Sequence, residues 1–264
     1  MTRLLSLLCL FAITQMAYAD ATLIFKSSPG KDSQHRIIYY IKNGLLRFSE
    51  QDSERFNIYD KSRQVFQSID KEKQTISRID KDILGRHVEA LNQQRLQALI
   101  EAEKKVSAQL KSSDINEKTL AETVINQLRY PEFYGAHTHL KTEKTTTTKN
   151  LNGIDCQVYN ITRNNQLLKQ ICMADFRAMG LTSDDYDTLR QFFRFDYATQ
   201  TQLLIAQGQT NFVLIDYDEE DIDGVPIEIS AISENENKLI LLLDKTDSGT
   251  LNSSLFEVSI KNPE

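Results

Sequence analysis

Arg36-Ile37-Ile38-Tyr39-Tyr40-Ile41-Lys42-Asn43-Gly44-Leu45-Leu46-Arg47-Phe48 reads as two strand-like runs, residues 36–41 and 45–48, around a tight turn. Branched and aromatic side chains suit a pleated, half-buried surface. Asn43-Gly44 supplies two residues that tolerate the positive φ of a two-residue hairpin. Runs of the same kind stand at residues 23–26, 56–59, 65–69 and 75–79, with Asp60-Lys61-Ser62 and Asp70-Lys71-Glu72-Lys73 as turns between the last three. This spacing of short strands and turn chemistry predicts an antiparallel meander.

The hydrophobic period then changes from two to 3.6. Leu84, Val88, Leu91, Leu99, Ala102, Val106 and Leu110 share one face of a helix, with Leu96 at its margin and charged or Gln residues opposite. Asp114, with Glu117 three residues on, marks a second helix start, and Leu120, Ala121, Val124, Ile125 and Leu128 form its stripe until Pro131 stops it. Joined by Lys111-Ser112-Ser113, the two predict a helical hairpin inserted at about residues 83–130 and laid on the sheet.

Strands resume over 136–149, a Thr-rich run polar enough for a sheet edge, and over 154–162 and 166–174 around Asn164-Asn165. A third helix opens at Thr182, where Asp185 returns the capping bond and Leu181 is placed to staple onto Tyr186. Tyr186, Leu189, Phe193 and Tyr197 share a face, and the pattern runs to Gly208. Residues 211–217, 225–232, 239–243 and 255–260 again read as strands, alternating apolar with polar along 225–232. Strands, then helices, then strands define an α+β chain.

The first nineteen residues read as a targeting device. Arg3 gives a positive start, residues 4–13 are apolar but for Ser6, and Ala17-Tyr18-Ala19 supplies a small-x-small cleavage pattern, so cleavage is expected between Ala19 and Asp20. The run is too short to span a bilayer core of about 30 Å, and Leu8 before Cys9 lacks the small residue that lipidation needs. The mature chain, residues 20–264, is therefore expected in the bacterial periplasm with no transmembrane segment.

Export changes how the cysteines read. Cys156 and Cys172 alone survive cleavage, and two thiols in an oxidising compartment are expected to pair. If Arg163, Asn164 and Asn165 form a three-residue loop, Thr162 faces Gln166 and Cys156 stands directly across from Cys172.

Composition excludes several function classes. With 37 acidic against 31 basic side chains, a net charge of −6, the chain lacks the basic face of a nucleic-acid binder. Its nine glycines are too scattered to build a phosphate-cradling loop. His137 and His139 alternate on a strand and are the metal-ligand candidates, with His35 and His87 as third ligands, but no Cys or paired carboxylate flanks them. Asp216, Asp218, Glu219, Glu220, Asp221 and Asp223 give the first alternating oxygens of a calcium loop, yet Asp221 stands where the loop needs glycine and Ile227 where it needs a bidentate carboxylate. No Gly-x-Ser-x-Gly elbow occurs. No cofactor is implied, and a non-enzymatic protein is expected.

A resemblance joins these readings. The hairpin Tyr40 to Arg47, the pair Asn57-Ile58-Tyr59-Asp60 and Val65-Phe66-Gln67-Ser68-Ile69-Asp70, and the segments Gly153-Ile154-Asp155-Cys156 and Asp223-Gly224-Val225-Pro226 resemble the LolA/LolB-like lipoprotein-carrier fold, most nearly its uncharacterised secreted bacterial domains. The chain departs from the carrier itself, whose hairpin has an Arg-Pro turn where Lys42-Asn43-Gly44 stands here. The resemblance implies a single domain: a curved antiparallel sheet, an incomplete β-barrel, covered by inserted helices. It implies a carrier of an apolar ligand such as a lipid or acyl chain. The alternative is an envelope protein–protein interaction module with a filled core.

Overall fold

The computed structural model describes residues 20–30, 33–134, 140–208, 216–217, 222–232 and 237–258. The signal segment, His137, His139, residues 211–215, most of the acidic run and the last residues of the 255–260 strand lie outside them.

Among the described residues, eleven strands form one antiparallel sheet, in the order β6-β5-β4-β3-β2-β1-β11-β10-β9-β8-β7. The first meander comprises β1 (Ala21–Gly30), β2 (Ser33–Lys42), β3 (Leu45–Glu50), β4 (Arg55–Asp60), β5 (Val65–Asp70) and β6 (Thr75–Ile79). The second comprises β7 (Leu140–Leu151), β8 (Ile154–Arg163), β9 (Gln166–Ala174), β10 (Val225–Ile232) and β11 (Asn237–Ser248). The two meet at a seam where β1 pairs with β11, Leu23 opposite Thr246 and Phe25 opposite Leu243. The outer strands β6 and β7 do not pair with each other among the described residues, so the sheet stays open. As its polar composition predicts, β7 takes an edge.

Turn chemistry sets the register. Lys42 pairs with Leu45 across Asn43 (φ 49°) and Gly44 (φ 78°), so the opening hairpin has the predicted two-residue turn. The cysteine hairpin differs from expectation. Asn164 (φ 49°) and Asn165 (φ 65°) both adopt the left-handed conformation, making a two-residue turn with Arg163 opposite Gln166. An irregularity between Ile161 and Thr162 shifts the register again, so Cys172 faces Val158 and Cys156 faces Ala174. The disulfide forms nonetheless between diagonal neighbours, with the Cα atoms 5.4 Å apart.

Two helical segments interrupt the strands. α1 (Lys81–Lys105), α2 (Ile115–Arg129) and the short α3 (Pro131–Tyr134) link edge strand β6 to edge strand β7, while α4 (Ser183–Gln207) lies between β9 and β10. α4 packs on β2, β3 and β10, and α1 packs on α4 and α2, reaching the sheet chiefly at β6. The helical hairpin therefore forms a third layer over α4, where the periodicity predicted a hairpin laid on the sheet. An amphipathic stripe demands an apolar partner without saying which, and α4 supplies it. α4 is accordingly half-buried around much of its circumference, having neighbours on two sides.

The predicted helix starts hold, with one variation. Thr182 Oγ1 accepts from Asp185 N and the Asp185 carboxylate accepts from Thr182 N, a reciprocal capping box. Asp114 accepts from Asn116 N and Glu117 N, but the Glu117 carboxylate accepts from Ser112 Oγ, which itself accepts from Asp114 N. A serine hydroxyl thus relays what a direct capping box would close. No helix among the described residues is long and apolar enough to cross a membrane.

The main core gathers Leu23, Phe25, Ile41, Leu46 and Tyr59 from the first meander, Val158, Cys172, Val225 and Leu243 from the second, and Leu189 and Phe192 from α4. A smaller cluster joins Phe56, Ile58 and Ile69 to Val258. That contact accounts for a second correction. Residues 253–256 make a 3-10 turn capped by Asn252, not a strand, and Arg47 donates to Leu255 O, tying the segment across β3. Asp20 anchors the same strap, accepting from both Lys42 Nζ and Leu251 N.

Candidate functional site

α4 meets the sheet in two different ways. On the β3–β5 side Phe192 and Phe195 fill the interface, Phe192 lying 5.2 Å from Phe48 and 5.6 Å from Tyr59, and Phe195 5.3 Å from Tyr59, between ring centroids. On the seam side, Leu189, Phe193, Asp196 and Tyr197, spaced at i, i+4, i+7 and i+8 to share one face, leave a cavity of about 200 Å³. Leu23 and Phe25 of β1, Tyr39 of β2, Lys169 and Ile171 of β9, Val225 and Ile229 of β10 and Leu241 of β11 line the rest. Register explains the wall, because Ile171, Ile229 and Leu241 stand in one cross-strand row and Leu23 stands opposite Tyr39. Tyr217 closes the cavity and stacks on Phe193 at 4.9 Å.

Polar groups interrupt an otherwise apolar lining. Burial, and secondarily the Asp196 carboxylate, push the Tyr39 phenol up to about 12. Burial, and to a lesser degree Tyr186 and Tyr39, push Tyr217 well above the usual phenol value. Burial raises Asp196 above the ordinary carboxylate value, against a hydrogen bond from Gln200, and lowers Lys169. All four shifts favour the neutral form, which marks a poorly solvated chamber.

Beside the cavity, the β9–α4–β10 excursion is fastened by Tyr186. Its hydroxyl donates to Asp223 Oδ1 and accepts from Gly224 N at 2.9 Å, and its ring stacks on Phe176 at 4.6 Å. Gly224 has φ +108°, and a Cβ there would stand 2.5 Å from Ala174 O, so only glycine lets β10 leave this corner against β9.

The sequence-predicted candidates fare unequally. Leu189, Phe193 and Tyr197 line the cavity, as their shared helix face suggests. Tyr39, Lys169, Asp196 and Tyr217 were not singled out as site residues, and the one available signal was Asp196, a carboxylate on an apolar helical stripe. His35 is exposed near Glu50, 3.9 Å away, and His87 is exposed on α1. Among the described residues no group of three or more His, Cys, Asp or Glu side chains is arranged to hold a metal. Asp223, at the C-terminal end of the acidic run, is engaged by Tyr186 and Gly224.

A second, wider groove of about 800 Å³ opens between Arg63 and Val65 at β5, the start of α1, and Phe195 to Gln202 of α4. Its charges answer each other: Arg78 pairs with Asp80 at 3.0 Å, while Asp80 caps α1 by accepting from Ile83 N.

No protein-family model matches the chain, and no curated protein matches it. Two crystal structures of PNGF-II, in space groups C2 and P21, are similar to it with TM-scores of 0.38 and 0.39 at 8% identity. The similarity covers 90% and 92% of this chain, which spans only 29% and 31% of theirs. A likeness of that size does not place the chain in a fold family.

Proposed function

We propose that this protein is an exported, periplasmic binder of an apolar ligand, a single acyl chain or a group of similar girth, held without chemistry in the cavity between α4 and the β1–β11 seam. The observation that carries the reading is the cavity's lining, predominantly apolar with side chains from β1, β9, β10, β11 and α4, at a place where close packing is the default. On this reading the open sheet is an incomplete barrel, as the LolA/LolB-like resemblance implies, with α4 packed over β2, β3 and β10. The Cys156–Cys172 bridge is compatible with an oxidising compartment.

Size narrows the ligand. An apolar cavity of about 150 Å³ holds benzene, so about 200 Å³ takes a ring or the end of one chain and not a whole diacyl lipid. At about 0.8 kcal/mol per buried methylene, five or six methylenes give about 4–5 kcal/mol, a dissociation constant of about a millimolar. Tighter binding requires the ligand to extend beyond the cavity. Titration with octanoate, followed by protein NMR, and organic extraction of protein isolated from the periplasm test this. Saturable shifts at cavity residues and recovered lipid support it, whereas no saturation up to several millimolar and a lipid-free extract overturn it.

A second reading, an envelope interaction module, has its own observation. Of the stripe predicted on α2, Ala121 and Ile125 are buried, but Leu120 is 68% exposed, as are Ile115 at 78% and Phe133 of α3 at 69%. Large apolar side chains exposed on the outer elements α2 and α3 favour a docking role. Native mass spectrometry of the periplasmic protein separates the two, reading a small ligand mass or a protein partner.

A further inference from the structure

Lys169 puts a cation at one end of an apolar wall. In the ladder it stands between Ile161 of β8 and Ala231 of β10, and the i, i+2 spacing turns it to the same face as Ile171, with which it lines the cavity. Ile171, Ile229 and Leu241 form the next row along the sheet. Phe25, opposite Leu243, and Val225, opposite Ala174, continue the wall on the side away from Lys169, and Leu23 lies beyond Phe25. The covered face of a sheet is an unfavourable place for an ammonium, and burial lowers the Lys169 value. Asp196, the acidic group of the lining, stands apart from this end: it accepts from Gln200, one turn along α4, and acts on the Tyr39 phenol, which faces Leu23 across the strands.

Resting on the apolar-ligand reading, we propose that the ligand is a monocarboxylic acid whose carboxylate pairs with the Lys169 ammonium while its chain lies along the Ile171–Ile229–Leu241 row toward Phe25. An ammonium carries three N–H donors and no acceptor, so the head group that complements it is an acceptor, and a charged one makes the stronger bond. A carboxylate beside Lys169 favours the charged form that burial alone disfavours. Asp196 does not oppose the acid, because burial already shifts it toward the neutral carboxyl. An amine head would instead set a second cation in the same chamber as Lys169. The pairing also orients the ligand, with its methyl end toward Phe25 and Leu23.

Hexanoate, 1-hexanol and hexylamine share one chain and differ in the head, and together they test this. Each is titrated by NMR at neutral pH into the wild-type protein and into Lys169→Met, which keeps a long unbranched side chain without the charge; thermal unfolding of both proteins confirms that the fold is retained. The expected result is that the wild-type protein binds hexanoate about threefold to tenfold more tightly than 1-hexanol, the worth of one hydrogen bond, with hexylamine weakest. Lys169→Met is expected to abolish the preference for hexanoate and leave 1-hexanol unchanged. If 1-hexanol or hexylamine binds the wild-type protein as tightly as hexanoate, the acid inference is overturned while the cavity reading stands, and this comparison decides even where the variant does not fold. A preference for hexanoate that survives in folded Lys169→Met overturns the role of Lys169. If none of the three binds the wild-type protein, the cavity reading falls and takes this inference with it.

Discussion

Cys156 and Cys172 are bonded across a diagonal of the β8–β9 ladder, each standing opposite a different residue, Ala174 and Val158 respectively. The bridge therefore ties two neighbouring positions of the ladder, three rungs from the irregularity at Ile161–Thr162. With 16 residues separating the cysteines, chain-entropy arguments give a contribution of about 3 kcal/mol. The double substitution Cys156→Ala/Cys172→Ala is expected to lower the stability measured by denaturant titration by about that amount, and reduction of the wild-type protein to do the same. Non-reduced peptide mapping of periplasmic protein is expected to recover the two cysteine peptides joined.

Gly224 and Gly85 are expected to respond oppositely to alanine. At Gly224 the new methyl meets Ala174 O at 2.5 Å with φ at +108°, so Gly224→Ala is expected to destabilise by about 3 kcal/mol or more. Gly85 lies in α1 with nothing within 4 Å of the added Cβ, so Gly85→Ala is expected to stabilise by about 1 kcal/mol. Thermal melts of the two variants, read as shifts in Tm, check both signs.

Tyr186 and Tyr217 both carry buried hydroxyls, one with two partners and one with none among the described residues. Tyr186→Phe removes the group joining Asp223 to the β10 corner and is expected to cost about 1–3 kcal/mol. Tyr217→Phe removes a hydroxyl without a partner among the described residues and is expected to leave stability unchanged or raise it by about 1–2 kcal/mol. Equal losses in the two variants would mean that Tyr217 is satisfied within the fold.

Asp196 gives the site a pH dependence. Burial raises its folded-state value above 3.8, so the folded protein holds a proton that the unfolded chain has released. The charged form is therefore penalised in the folded state at neutral pH, and the penalty fades as pH falls through the raised folded value toward 3.8. Asp196→Asn is expected to be more stable than wild type near pH 7, with the advantage shrinking through the acidic range and gone below the ordinary carboxylate value. Denaturant midpoints of both proteins between pH 3 and pH 8 show whether the two curves converge on the acid side.

What the sequence made legible follows the reach of each signal. The alternation around Asn43-Gly44 and the stripe from Leu84 to Leu110 are local patterns; the hairpin forms where it was expected, and the helix forms over Lys81–Lys105, with Leu110 at the end of the stripe falling in a separate 3-10 turn. The register at Asn164-Asn165 was misjudged because asparagine tolerates the left-handed conformation at either turn position, so residue type alone does not separate a two-residue from a three-residue loop. Residues 255–258 alternate well enough for a strand, but the Arg47 bond to Leu255 O and the packing of Val258 on Phe56 hold them across the sheet instead. The cavity was less accessible still, since Tyr39, Lys169, Asp196 and Tyr217 converge from β2, β9, α4 and the segment beyond it, and no window of sequence contains two of them at a helical or strand period. An expected stripe also overstates burial, as Leu120 shows: periodicity identifies the side of a helix that is apolar without revealing how much of that side a neighbour covers.

The β1–β11 seam has a kinetic consequence. Each meander is built from contacts between strands adjacent or nearly adjacent in the chain, so either half can collapse as it emerges. Ala21, however, pairs with Ser248, and that rung must wait for almost the whole polypeptide. Closing so long a loop is slow, and until it happens β1 presents a bare edge carrying Leu23 and Phe25, a template for mispairing with another chain. In folding order the cavity comes last, because its walls belong to both halves. A chain released without β11 would lose the chamber and gain an adhesive strand, so aggregation and loss of binding are expected to appear together when the C-terminal strand is removed.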